Sequence, residues 1–186
     1  MQVLTRSLFS LLVIFLAFAG QNQLQAQTKT AAAKPAVYSA ENPGWMTDLE
    51  QVYQLSKKTN KPILANFTGS DWCGWCKRLT ANVFVHQEFK DWAAKNVILL
   101  ELDYPKRKEI PDAIRGQNAS LQQAFQVSGF PTIWLFRLQK DETNNQFNII
   151  PLGKTGYADS VDKFTGALQQ MIAQEKTTAA KTQGKK

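Results

Sequence analysis

Ile63-Leu64-Ala65-Asn66-Phe67-Thr68 runs through Gly69-Ser70-Asp71-Trp72 into Cys73-Gly74-Trp75-Cys76-Lys77, and this stretch decides the reading of the whole chain. Its first half is a short, mostly apolar run of strand length. From Cys73 to about Val83 the residues suit a helix, so the first sulfur is expected at a helix N-terminus. There, free N–H groups and the positive end of the dipole favour a thiolate. A low-pKa sulfur is also the better leaving group, so a mixed disulfide formed on it resolves faster when a second thiol attacks. Cys73, on the approach to the helix, is therefore the expected attacking thiol, and Cys76, shielded inside the first turn, the resolving one. Trp72 and Trp75 flank the pair; they either offer apolar surface to a polypeptide substrate or pack on the domain. Lys77 adds a positive charge at a position where an exposed lysine is ordinary.

These are the only cysteines in the 186 residues. A bridge across so short a loop removes little entropy from the unfolded chain, so the pair is read as chemistry and not as a structural staple. The context is that of an exported protein. Residues 1–26 place Arg6 ahead of the apolar run Leu8 to Ala19, the order of a secretory signal, with cleavage expected near Ala26. The run falls short of the about 20 apolar residues a spanning helix needs. Location in the periplasm or beyond is the corresponding expectation. Residues 27–44, rich in Thr, Lys, Ala, Gln and Pro, read as a flexible leader, residues 45–174 as one domain, and residues 175–186 as a basic disordered tail. The formal charge of +7 collects partly in that tail and partly in Lys106-Arg107-Lys108. Neither run interleaves bases with aromatics as a single-strand binder would, so nucleic acid is not an expected partner.

Outward from the cysteines, Trp45, Met46, Leu49, Val52 and Tyr53 fall at helical spacing, and Asn60-Lys61-Pro62 closes that helix before the Ile63 strand. Gln87 to Lys95 suits a helix, and Val97 to Leu102 is apolar enough for a parallel strand covered on both faces. A polar, basic loop spans Tyr104 to Asn118, and Ala119 to Gln126 gives a short helix. Pro131 to Leu138 and Phe147 to Leu152 read as a hairpin, and Asp159 to Gln174 as a final helix. This order is a βαβ unit followed by a hairpin and a helix: an α/β fold with a central mixed sheet and helices on both faces.

Far downstream, Gly129-Phe130-Pro131-Thr132 precedes an apolar strand, and together with the Cys-Gly-Trp-Cys segment it makes the chain resemble the thioredoxin superfamily from about Trp45 to Gln174. The resemblance implies a thioredoxin-like fold in which Pro131 is cis, lies beside the redox pair, and lets the Phe130 backbone pair with an extended substrate. Asn66 to Cys73 is most similar to exported bacterial thioredoxin-like proteins and to the C-terminal domain of the transmembrane disulfide reductase. The implied activity is thiol-disulfide oxidoreduction on disulfides of exported proteins, fed by a membrane-bound electron donor. A monomer without cofactor is expected. Two departures stand out: Asn66 occupies the position nearest to the family's buried acidic residue and cannot titrate, and Trp75 stands where thioredoxin has proline. The rival reading is a Cu(I) module using the same two thiols. Zinc is disfavoured because His86 is the only histidine, and Lys77 stands where covalent haem attachment would need one.

Overall fold

The computed structural model describes residues 38–183. The signal expected at residues 1–26, its cleavage near Ala26 and most of the leader lie outside the described residues.

Helix α1 spans Leu49–Thr59. Asp48 caps it by accepting from the backbone N–H of Gln51 at 2.8 Å, and Asn60 ends it in the left-handed region at φ 53°. Pro62 then forces extended chain, and strand β1 covers Ile63–Thr68 with every residue buried. Helix α2, Gly74–Leu79, passes into a π-helical turn at Thr80–Phe84. Helix α3, Gln87–Asn96, leads to strand β2, Ile98–Asp103, and helix α4 is Asp112–Ala124. Strands β3, Thr132–Lys140, and β4, Phe147–Thr155, form the hairpin, and helix α5 is Val161–Gln183.

Among the described residues the sheet has four strands in the order β2-β1-β3-β4, with β1 parallel to β2 and antiparallel to β3. Strand alternation divides the core. Leu64, Ile133 and Leu135 face α2, α3 and α5 through Leu79, Phe89, Phe164 and Leu168. Ile63, Ala65, Phe67 and Leu100 face α1 and α4 through Val52, Tyr53, Leu121 and Phe125. Helices therefore cover both faces, which is why β1 is apolar almost throughout. Each large side chain so removed from water contributes about 1.5–3 kcal/mol. The β1–β3 register pairs Phe67 with Thr132, so the end of β1 that leads to the cysteines lies beside the start of β3 that follows Pro131.

Several boundaries differ from the sequence reading. Trp45 and Met46 precede α1: Trp45 packs in the core on Phe84 at 4.8 Å, and Met46 pairs with Leu100 as a parallel bridge. The end of the expected leader is also packed, with Asn42 buried and Thr47 Oγ1 donating to the Tyr38 carbonyl at 2.9 Å. Helix α4 begins seven residues before Ala119, since Pro111 serves as its N-cap and Gly116 lies inside it. The tail expected to be disordered from residue 175 is helical to Gln183. Phe164, Leu168 and Ile172 anchor the preceding turns, and Ala, Lys and Gln are good helix formers, so propagation costs little once the helix is nucleated. Glu175 also pairs with Arg137 on β3.

Candidate functional site

The chain leaves β1 at Thr68 and turns through Gly69 to Trp72 before entering α2. Gly69 carries this turn: its carbonyl accepts from Trp72 N at 3.2 Å and from Cys73 N at 2.8 Å. No larger residue fits, because a Cβ there would lie 2.4 Å from the Trp72 indole. Cys73 is the N-cap of α2 with extended backbone, and its Sγ accepts from the Cys76 backbone N–H at 3.1 Å. The two sulfurs are joined in a disulfide with Cα atoms 5.3 Å apart. Both are buried in this oxidised form, Cys73 at 6% exposed and Cys76 at 4%. Exposure does not separate them here. Position does: Cys73 precedes the helix and Cys76 lies within it.

The turn is stitched to the loop that follows β2. Asp103, 1% exposed, accepts from Ser70 N at 2.9 Å and Ser70 Oγ at 2.7 Å, and it pairs with Lys108 at 3.0 Å. Lys108 also pairs with Glu41; its burial works against the charge, but these two carboxylates outweigh that and hold its ammonium pKa above the ordinary value. Asp71 accepts from the backbone N–H groups of Lys106, at 3.0 Å, and Arg107, at 2.6 Å. Desolvation pulls its carboxyl up, but those N–H groups prevail and keep it below the usual range. Trp72 Nε1 donates to the Tyr104 carbonyl at 2.8 Å.

The Phe130–Pro131 peptide bond is cis. The Phe130 ring meets Trp72 edge-on at 5.7 Å and Tyr104 at 5.1 Å, which ties the Pro131 loop to the redox turn. On the other side Trp75, 53% exposed, meets Tyr157 at 5.0 Å and lies under Arg78 at 4.6 Å. Trp72 and Trp75 thus flank the two cysteines along the chain, and Phe130, the residue before Pro131, is in direct contact with Trp72.

Asn66 is 2% exposed with its Oδ1 lacking a hydrogen-bond partner. Across the register it faces Glu101, which is buried beside it on β2. Glu101 accepts from Glu41 N at 2.6 Å and from Asn42 Nδ2 at 2.5 Å. Its burial raises the carboxyl pKa and these donors only partly offset the rise. Sequence reading passed over both Glu101 and Asp103, although acidic residues alternating at the end of an otherwise apolar strand were a usable signal. Among the described residues no group of three or more His, Cys, Asp or Glu is placed to hold a metal ion.

A mixed sheet carrying a disulfide at a helix start, with a cis-proline loop alongside, defines the thioredoxin-type redox proteins by fold and site. The chain belongs to the thioredoxin-like family, whose family model matches residues 44–137. It is similar to the disulfide bond reductase DsbH of Chlamydia pneumoniae, with 35% identity over 95 residues covering 51% of this chain and 57% of that one. It is also similar to the thiol:disulfide interchange protein DsbD of Vibrio vulnificus, with 31% identity over 98 residues covering 53% of this chain and 15% of that one. The chain therefore spans little more than half, or much less, of these relatives' lengths. The solved structure of a DsbH oxidoreductase superposes with a TM-score of 0.60 at 24% identity, covering 76% of this chain and 90% of that one, and agrees in fold.

Proposed function

We propose that the protein is a thiol-disulfide oxidoreductase acting on disulfides of exported proteins, with Cys73 as attacking and Cys76 as resolving thiol. The observation that carries this is the Cys73–Cys76 disulfide at the head of α2, where the Cys76 N–H points at Cys73 Sγ. In the reduced protein that N–H and the other free donors of the first turn stabilise a Cys73 thiolate. The thiolate attacks one sulfur of a substrate disulfide, forming a mixed disulfide and releasing the other substrate sulfur as a thiolate. Cys76, which gives its proton to water or to a group other than Asn66, then attacks Cys73 Sγ. The second substrate sulfur leaves, two electrons have passed to the substrate, and the protein disulfide is restored. A membrane-bound donor returns the two electrons in the periplasm.

Trp72, Trp75 and the Phe130 backbone before Pro131 receive the substrate chain. Insulin reduction with dithiothreitol tests the reading: Cys73→Ser abolishes turnover, and Cys76→Ser accumulates mixed disulfides through Cys73. Full activity in Cys73→Ser would sink it. Titration of the couple against glutathione sets the direction of flow, with a value near about −270 mV favouring reduction and one near about −120 mV oxidation.

A further inference from the structure

The basic cluster Lys106-Arg107-Lys108, which the redox chemistry does not use, is carried to the rim of the redox site by the Asp71 hydrogen bonds to Lys106 N and Arg107 N. Lys106 Nζ sits 4.2 Å from the centre of the Trp72 ring. Arg78 holds the corresponding place over Trp75, and Lys77 Nζ rests on the Asp71 carbonyl at 3.1 Å. Among the described residues none of Lys77, Arg78, Lys106 and Arg107 is in an ion pair. Of the carboxylates nearby, Asp103 and Glu41 are held by Lys108 and the oxygens of Asp71 are taken by backbone donors, which leaves Glu109 on the loop itself. Contact with an aromatic face leaves a cation its charge, and its remaining donors stay open to a carboxylate. Each exposed tryptophan beside the disulfide therefore carries a cation over its ring, one on either side.

Given the redox function proposed above, we infer that this rim selects polypeptide disulfides flanked by acidic residues. A chain laid along Phe130 with one cysteine at Cys73 carries its neighbouring residues towards Trp72 and Lys106 on one side and Trp75 and Arg78 on the other. The aromatic faces accept any side chain, whereas the cations discriminate by charge. Aspartate or glutamate there gains attraction during encounter and in the mixed disulfide, and lysine meets repulsion from both sides. The loop also walls a groove of about 370 Å³ with Tyr104 and Arg115, in which Lys106, Lys108 and Arg115 stand beside Asp103 and Glu109, so the selecting charge is placed on the Lys106 and Arg78 rim and not in the groove.

The test uses three synthetic peptides with the same single disulfide, flanked by Asp, Asn or Lys, and reads kcat/KM for the dithiothreitol-reduced protein. At low ionic strength the Asp peptide should exceed the Lys peptide by about 10-fold or more, within the range of electrostatic steering. The ratio should shrink to about 2-fold as salt shortens the screening length to a few ångströms. Lys106→Gln combined with Arg107→Gln should lower the ratio several-fold; because it is taken within one variant, a changed redox potential cancels. Equal rates for Asp and Lys peptides while the Asn peptide is reduced would overturn this inference alone. So would a double variant keeping the full wild-type ratio. Reduction of none of the three would overturn the redox function itself.

Discussion

Asp103→Ala should be the most informative single change outside the cysteines. The substitution removes the acceptor for Ser70 N at 2.9 Å and Ser70 Oγ at 2.7 Å and the partner of Lys108 at 3.0 Å, all at a side chain 1% exposed. Hydrogen bonds to an ionised acceptor contribute about 1.5–3 kcal/mol each. The Lys108 pair adds little, since that ammonium is partly exposed and keeps Glu41. Ser70 recovers some water as the turn relaxes, so the expected loss is about 3 kcal/mol, below the sum of the two bonds. For a domain of this size that lowers Tm by about 6–12 °C. Asp103→Asn keeps an acceptor for Ser70 N and lets its amide donate to Ser70 Oγ, but it turns that amide onto the Lys108 ammonium in place of a carboxylate oxygen, so it should cost about 1–2 kcal/mol, less than Asp103→Ala. Urea denaturation of the oxidised proteins measures both. If Asp103→Ala lies within about 0.5 kcal/mol of wild type, the ordinary scatter for inert surface changes, the network does not hold the redox turn.

Gly69→Ala should displace the Trp72 indole from the Tyr104 carbonyl and cost about 1–3 kcal/mol as overpacking; a shift in tryptophan emission reports it, and unchanged emission and stability refute it. Glu101 supplies a pH test. Its carboxyl is raised in the folded state above the ordinary 4.5, so its contribution to stability is complete below that value and is lost as pH rises through the raised one. Glu101→Gln cannot titrate, so wild-type stability minus variant stability should fall with rising pH by up to about 1.4 kcal/mol per unit. A flat or rising difference would contradict the assignment. Glu175→Ala frees Arg137, which otherwise also reaches the Asn60 carbonyl at 3.2 Å, and should cost about 1 kcal/mol while speeding amide exchange beyond residue 174. Unchanged exchange there would mean that the pair does not fasten the helix end.

Local signals carried the fold a long way. The Ile63 strand, the Gln87 helix and the hairpin reflect periodicity and breakers within a few residues of one another, and the Pro131 loop was legible through its resemblance to a known pattern. What escaped depends on distance or on context. Asp103 and Glu101 serve partners 33 and 59 residues away, Ser70 and Asn42, and nothing near them in sequence announces it. Met46 obeys helical spacing yet joins β2, because a backbone bridge to Leu100 competes with the helix and wins. Tyr104 to Asn118, which contains Pro111 and Gly116, reads as a loop, although proline is favourable at a helix start and one glycine inside thirteen residues costs only about 1 kcal/mol. The cations around the disulfide were visible as a charge cluster, but their placement depends on how the loop folds back onto Asp71.

The short bridge of Met46 to Leu100 has a consequence for the behaviour of the protein in solution. Met46 N donates to the Leu99 carbonyl at 3.0 Å and Glu101 N to the Met46 carbonyl at 2.8 Å, so backbone groups on the outer side of β2 are already taken. At the opposite rim, β4 contains Pro151, which has no N–H to offer, beside an irregularity in register at Leu135 and Phe136. Open strand rims invite pairing with a second chain. A chain shortened to begin at Asp48 would present a bare β2 rim and at the same time lose Trp45 from its place on Phe84 and Phe89, so a weakened core and self-association would arrive together.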